Sequence, residues 1–142
     1  MLNEDERVIK ILVVEDTVKF TDAILELFKD WNDKKVQSSN VKIVPYIAQD
    51  LSSAKKYAES DSKYDLVLLD NCIPNNYADE IAEPVGYKLL PILKQSGAYV
   101  VGTSLDDSVG DFDKLWNKEA TNSREELLKI ITFVAENKFS RR

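Results

Sequence analysis

Residues 8–16 read VIKILVVED, a run of aliphatic side chains interrupted by Lys10 and closed by Glu15 and Asp16. Apolar residues at successive positions, rather than alternate ones, suit a strand buried on both faces, as in a parallel sheet covered by helices. Residues 64–69 (YDLVLL) and 98–102 (AYVVG) repeat the signature. Residues 41–48 (VKIVPYIA) add a strand in which Pro45, having no N–H to donate, predicts an edge position or a bulge. A last short strand falls at 114–117 (KLWN).

Helical spacing fills the gaps. Phe20, Ile24, Leu27, Phe28 and Trp31 recur at helical intervals within 17–31. Asp50 is placed to cap a helix over 51–59, with Ala54, Tyr57 and Ala58 as its apolar stripe. A helix over 85–95 follows Pro84 and stops at Gly97, and Pro91 inside it is expected to kink or divide it. Ser123-x-x-Glu126 has the form of a capping box opening a last helix that turns Leu127, Leu128, Ile131, Val134 and Ala135 inward. This alternation, with right-handed crossovers, gives an α/β fold: a doubly wound parallel five-stranded sheet in a three-layer sandwich, one domain over 1–142.

Composition removes several classes of function. The 142 residues carry 25 Asp and Glu against 19 Lys and Arg, a net charge of −6, opposite to the basic footprint of a nucleic-acid-binding domain. No apolar run approaches the ~20 residues that cross a bilayer. The N-terminus, MLNEDER, lacks the layout of a secretory signal, which points to a cytoplasmic protein without membrane contact. One cysteine, Cys72, excludes an internal disulfide, and the absence of histidine excludes a Cys/His zinc cage and any His-based triad.

Ligands of doubly wound sheets bind beyond the carboxyl ends of the strands, near the topological switch point. Those ends carry Glu15 and Asp16, Asp70 (LLDNCIP, 68–74), Thr103 and Ser104 (VVGTS, 100–104), and Lys118 just past the last strand. Three carboxylates on one edge repel unless a cation intervenes, and Mg²⁺ favours few carboxylates, several waters and phosphate oxygens. Lys118 adds a compact positive charge for a carboxylate or phosphoryl group, and Thr103 a hydroxyl donor. Plainer readings exist. The start of a helix favours acids such as Glu15 and Asp16, Asp70 is also a strand-end cap, a β-branched Thr103 suits a strand end, and an exposed lysine needs no partner. Cys72 reads as a small strand-end residue whose backbone matters.

With VVED at strand one, LLDxxxP at strand three, a Thr-Ser pair at strand four and a lysine after strand five, the chain resembles the receiver domain of two-component response regulators over about 8–137. The resemblance implies a flavodoxin-like (CheY-like) sandwich and Asp70 as phosphoacceptor. It implies Mg²⁺ held by Asp16, Asp70 and the Cys72 backbone carbonyl, with Glu15 acting mainly through metal-bound water. Thr103 and Lys118 would bind the phosphoryl oxygens. The implied partners are a sensor histidine kinase or phosphotransfer protein and a downstream protein, and the implied role is a signalling phosphoacceptor rather than an enzyme. With 142 residues, no appended output domain is expected.

The chain departs from the family in its output half. Only 105–112 (LDDSVGDF) are available for the fourth helix, about two turns fewer than usual, so that helix is shortened or missing. Leu115 stands where the family places its switch aromatic, and Trp116 points to the opposite face. Glu119 follows Lys118 in place of a cis-proline, so a trans peptide is expected. Residues 75–85 (NNYADEIAEPV), with Asp79, Glu80 and Glu83, make a long excursion able to shield the site or meet a partner. A short fourth helix is expected to leave an apolar patch around Trp116, Leu128 and Phe133, with Trp116 and Leu115 as anchors of a dimer or partner interface. These departures support an alternative, a pseudo-receiver that keeps the fold without regulated phosphorylation. A haloacid-dehalogenase-like phosphatase would need DxD after strand one, where this chain has Glu15-Asp16, and no GxxxxGK[ST] or GxGxxG supports nucleotide binding.

Overall fold

The computed structural model describes residues 7–35, 40–76, 81–103 and 110–139. Strand β1 (Arg7–Val14) leads into helix α1 (Val18–Asn32), then β2 (Val41–Ala48), α2 (Leu51–Glu59) and β3 (Leu66–Leu69). Two short strands, β4 (Cys72–Ile73) and β5 (Glu83–Pro84), precede a 3-10 turn (Gly86–Leu89) that runs into α3 (Leu90–Gln95). β6 (Tyr99–Gly102), β7 (Lys114–Leu115) and α4 (Ser123–Phe139) complete the chain. The main sheet has five strands in the order β2-β1-β3-β6-β7, and every pairing in it is parallel. The chain therefore winds outward from β1 in both directions, and the switch point lies between β1 and β3. Among the described residues no helix is long and apolar enough to cross a membrane.

Both faces of the sheet are packed, as the unbroken apolar runs require. Ile9, Ile11, Val13, Leu66, Leu68 and Val101 face α1 and α4, where they meet Phe28, Trp31, Trp116, Leu127 and Ile131. Leu12, Val14, Val67, Leu69 and Val100 face α2 and α3, against Ala54, Leu89 and Leu93. Pro45 sits in β2, which is an edge strand. Asp50 caps α2 by accepting the Ser53 N–H at 2.7 Å. Pro91 falls in the first turn of α3, so the expected break separates a 3-10 turn from an α-helix. Gly97, at φ +94, makes the left-handed turn after α3.

Three local expectations are corrected. β3 starts at Leu66 rather than 64, because the Asp65 carboxylate takes the Lys10 N–H at 2.8 Å in place of a ladder bond. Ser123 is the first residue of α4 and the Glu126 N–H bonds to the Asn122 carbonyl, so Asn122 holds the cap position and the Ser123 capping box does not form. The last strand ends at Leu115 rather than 117. Between β6 and β7 there is no helix among the described residues, and 104–109, with Ser104 and most of the expected short helix, lie outside them. No cis peptide occurs among the described residues, so Lys118–Glu119 is trans.

Candidate functional site

The ladder continues one bond past each strand end. The N–H of Glu15 donates to the Ala48 carbonyl (2.9 Å), that of Asp70 to Val14 (3.0 Å), that of Thr103 to Leu69 (3.1 Å) and that of Trp116 to Gly102 (2.9 Å). Since Val14 pairs with Leu69 and Leu69 with Gly102, Glu15, Asp70 and Thr103 stand in one row at the carboxyl edge. All three are buried, and Asp16 beside them is half-buried. Glu15, Asp16 and Asp70 each bring a carboxylate oxygen into one group, all within 4.8 Å of one another.

Lys118 enters this group from beyond β7. Its Nζ donates to Glu15 Oε1 and, at 3.1 Å, to Asp70 Oδ2. Its side chain is 7% exposed. The other Asp70 oxygen, Oδ1, accepts the Cys72 N–H at 3.0 Å, and Glu15 Oε2 accepts the Thr17 N–H at 3.1 Å. The ring of Phe20, in the first turn of α1, faces the ammonium with Nζ 4.5 Å from its centroid.

Charge here is crowded. Burial, then the charge of Asp70, pushes the Glu15 carboxyl up to about 7 against the opposing pull of Lys118 and the Thr17 N–H. Burial and Asp70 raise Asp16 as well. For Lys118 burial works against the charge, but the hydrogen bond to Glu15 and the fields of Asp70 and Glu15 outweigh it and hold its pKa above the ordinary lysine value. Three carboxylates against one ammonium leave the cluster negative, and an all-oxygen donor set of this kind fits a hard divalent cation such as Mg²⁺.

The loop carrying Asp70 is braced from the far side. Gly86 N–H donates to the Asn71 carbonyl at 2.9 Å. The buried Asn71 side chain accepts the Tyr87 N–H at 2.8 Å. A Cβ on Gly86 would lie 2.4 Å from the Asp70 carbonyl oxygen, so only glycine allows this approach. Cys72–Ile73 pairs antiparallel with Glu83–Pro84, and Asn75 Nδ2 donates to Glu83 Oε2 at 2.6 Å. The two ends of the 75–85 excursion are thus clipped to the Asp70 loop, and Asp79 and Glu80 lie outside the described residues.

Glu15, Asp16, Asp70 and Lys118 are brought together, Thr103 continues their row, and Cys72 contacts Asp70 through its N–H. Trp116 is where the sequence reading fails as an interface. It is 6% exposed, packed in the core between the sheet, α1 and α4, and its Nε1 donates to the Ser123 carbonyl at 2.9 Å. α4 covers that face, and Leu128 is half-buried against the same core. Phe133 is exposed but rests its ring on Tyr99, 5.3 Å between centroids. Leu115, 53% exposed, is on the other face, beside Gly102 and Phe112. Sequence reasoning missed Phe20, Asn71 and Gly86. Phe20 passes for one more residue of an apolar stripe, whereas Gly86, one of four glycines and two residues after Pro84, carried a usable signal of close approach.

No protein-family model matches the chain. A comparison with curated protein sequences finds no match either. Solved structures do match. The N-terminal domain of a response regulator/sensory box/GGDEF three-domain protein from Carboxydothermus hydrogenoformans superposes with a TM-score of 0.64 at 18% identity, over 92% of this chain and 97% of that one. A two-component response regulator from Legionella pneumophila gives 0.59 at 17% identity, over 90% and 98%. The response regulator RcsB of Salmonella typhimurium gives 0.62 at 12% identity, over 94% of this chain and 61% of that one.

Proposed function

We propose that this chain, which has the CheY-like fold of response-regulator receiver domains, accepts a phosphoryl group on Asp70 and signals by protein–protein contact. The observation that carries the reading is the meeting of Glu15, Asp16 and Asp70 at the switch point with Lys118 bonded to two of them. Fold alone does not specify function, but this donor set matches the chemistry of phosphoryl acceptance.

Asp70 is the nucleophile. One of its carboxylate oxygens forms a bond to phosphorus as the donor's P–N or P–O bond breaks, and the leaving group departs with that electron pair. Catalysis of such a transfer is positioning and charge stabilisation. The Cys72 N–H fixes the Asp70 carboxylate, and the bracing by Gly86 and Asn71 fixes its loop. Lys118 turns from the carboxylates towards the phosphoryl oxygens, and the Thr103 hydroxyl, next in the row, supplies a neutral donor. Glu15, Asp16 and Asp70, with the Cys72 carbonyl, would hold Mg²⁺, which when bound supplies positive charge against the phosphoryl oxygens. The donor is a phosphohistidine of a sensor kinase or phosphotransfer protein. The protein itself is a signalling acceptor, not an enzyme that turns over a substrate.

The test is intact-mass measurement after incubation with acetyl phosphate, with and without Mg²⁺. One labile phosphoryl adduct that requires Mg²⁺ and is lost in Asp70→Asn is expected. No adduct with acetyl phosphate or phosphoramidate would overturn the reading in favour of the pseudo-receiver.

A further inference from the structure

We propose that Phe20 is a positioning residue whose ring face seats the Lys118 ammonium against the carboxylate cluster. The inference rests on the reading of Asp70 as phosphoacceptor. A lysine is a point charge on a flexible four-carbon stem, so its usefulness at a reacting phosphoryl group depends on what restrains it. Here Glu119 follows Lys118 through a trans peptide in an irregular turn, and the local backbone is not rigidified by proline. Restraint has to come from the surroundings. Glu15 and Asp70 take hydrogen bonds on one side, and the Phe20 ring closes another at 4.5 Å from Nζ to centroid, inside the ~6 Å range of a cation–π contact.

Phe20 is well anchored for this. Its N–H donates to the Thr17 carbonyl at 3.1 Å, placing it one helical turn from the acid pair. Phe20 and Lys118 both line a small cavity of about 170 Å³, with Ile24, Leu27, Trp116 and Leu127 as its apolar wall and Glu26 and Arg124 on its polar side. Phe20 and Lys118 thus meet at the lining of one cavity, and the space beside the ring is open to the lysine stem once the ring's hold is lost. A leucine at 20 would fill similar volume but offer no negative face. Lys19 also lies over this ring, 5.1 Å from the centroid, but it is exposed to solvent, where such contacts are weakest.

Two readouts test the seat. In the unphosphorylated protein, NMR of ε-¹³C-labelled lysine, assigned with Lys118→Arg, should find the Lys118 ε-CH₂ protons shifted upfield by the ring. Phe20→Leu should abolish that shift, while Phe20→Tyr and Lys19→Met retain it. With acetyl phosphate and Mg²⁺, Phe20→Leu should accumulate adduct about 5- to 30-fold more slowly, whereas Phe20→Tyr stays within about twofold of wild type, the span expected of a partly desolvated cation–π contact. Both variants are compared at a temperature where each is fully folded, and Phe20→Met provides a second non-aromatic replacement. An ordinary Lys118 shift in wild type, an unchanged shift in Phe20→Leu, or equal rates for the leucine and tyrosine variants would each overturn the proposal. If wild type accepts no phosphoryl group, the Asp70 reading falls, and the NMR arm by itself decides whether Phe20 seats the lysine.

Discussion

At Glu15, burial and the neighbouring Asp70 charge lift the carboxyl from 4.5 to about 7. Between those two values the folded protein binds more protons at this position than the unfolded chain. The associated stability is complete below the unfolded value and is lost as pH rises through the folded one. Asp16 is displaced in the same direction. The raised pKa of Lys118 acts only in the alkaline range. The metal-free protein should therefore lose stability between about pH 5 and about pH 8, on the order of 3 kcal/mol for a displacement of this size, and Glu15→Gln should flatten the profile. Urea midpoints across that range are the measurement, and a profile that rises with pH would contradict the assignment. At Asp16 the same logic separates folding from binding. Asp16→Asn should raise metal-free stability by removing a repelled charge while weakening Mg²⁺ binding, checked by melting curves and calorimetric titration.

Among the elements, the strands were the most readable part of the chain, because a two-face-buried strand writes itself as a continuous apolar run. Their ends were less readable because side chains finish the ladder: the Asp65 carboxylate replaces a backbone bond to Lys10, and Asn122 takes the cap position that Ser123 resembled. The carboxylates of the site were legible for a topological reason, since Glu15 and Asp70 are the first residues past parallel strands and Asp16 the next. Phe20 was not, because its role depends on what another segment brings to it, and Gly86 signalled only a close approach without saying to which segment. Strand alternation separated Leu115 from Trp116 correctly, but only the docking of α4 reveals that the tryptophan's face is covered. Trp116→Ala should consequently cost about 3–5 kcal/mol of stability, as truncation of a large buried ring does. Trp116→Phe should cost less, losing chiefly the hydrogen bond to Ser123; denaturant titration reads both. Gly86→Ala places a methyl group in the Asp70 backbone and should destabilise by about 1–3 kcal/mol, the usual range for overpacking. It should also displace the Asp70 and Cys72 amide resonances in NMR spectra. Unshifted amides would mean that the brace does not hold the Asp70 loop.

For the molecule as a whole, both sheet faces are closed by helices, and the buried charge of the Glu15 and Asp70 cluster lies at the carboxyl edge, where the balance is three acids to one lysine. Global stability should then depend on what neutralises that edge. Lys118→Met leaves Glu15 and Asp70 without their ammonium partner, and breaking a buried pair from one side typically costs about 3–5 kcal/mol. Mg²⁺, binding the folded state only, should stabilise wild type by about 2.7 kcal/mol at a hundredfold excess over its dissociation constant. On the proposed reading the metal would draw on the same carboxylates as the lysine, so the two effects should be coupled. In Lys118→Met the more negative cluster should bind Mg²⁺ more tightly, and the increment in unfolding free energy at fixed Mg²⁺ should exceed that of wild type. In Asp16→Asn it should shrink. Urea unfolding of the three proteins in EDTA and in millimolar Mg²⁺ measures the coupling directly. Equal Mg²⁺ increments in all three would mean that the ion stabilises the protein elsewhere, and that the lysine and the carboxylates do not form one electrostatic unit.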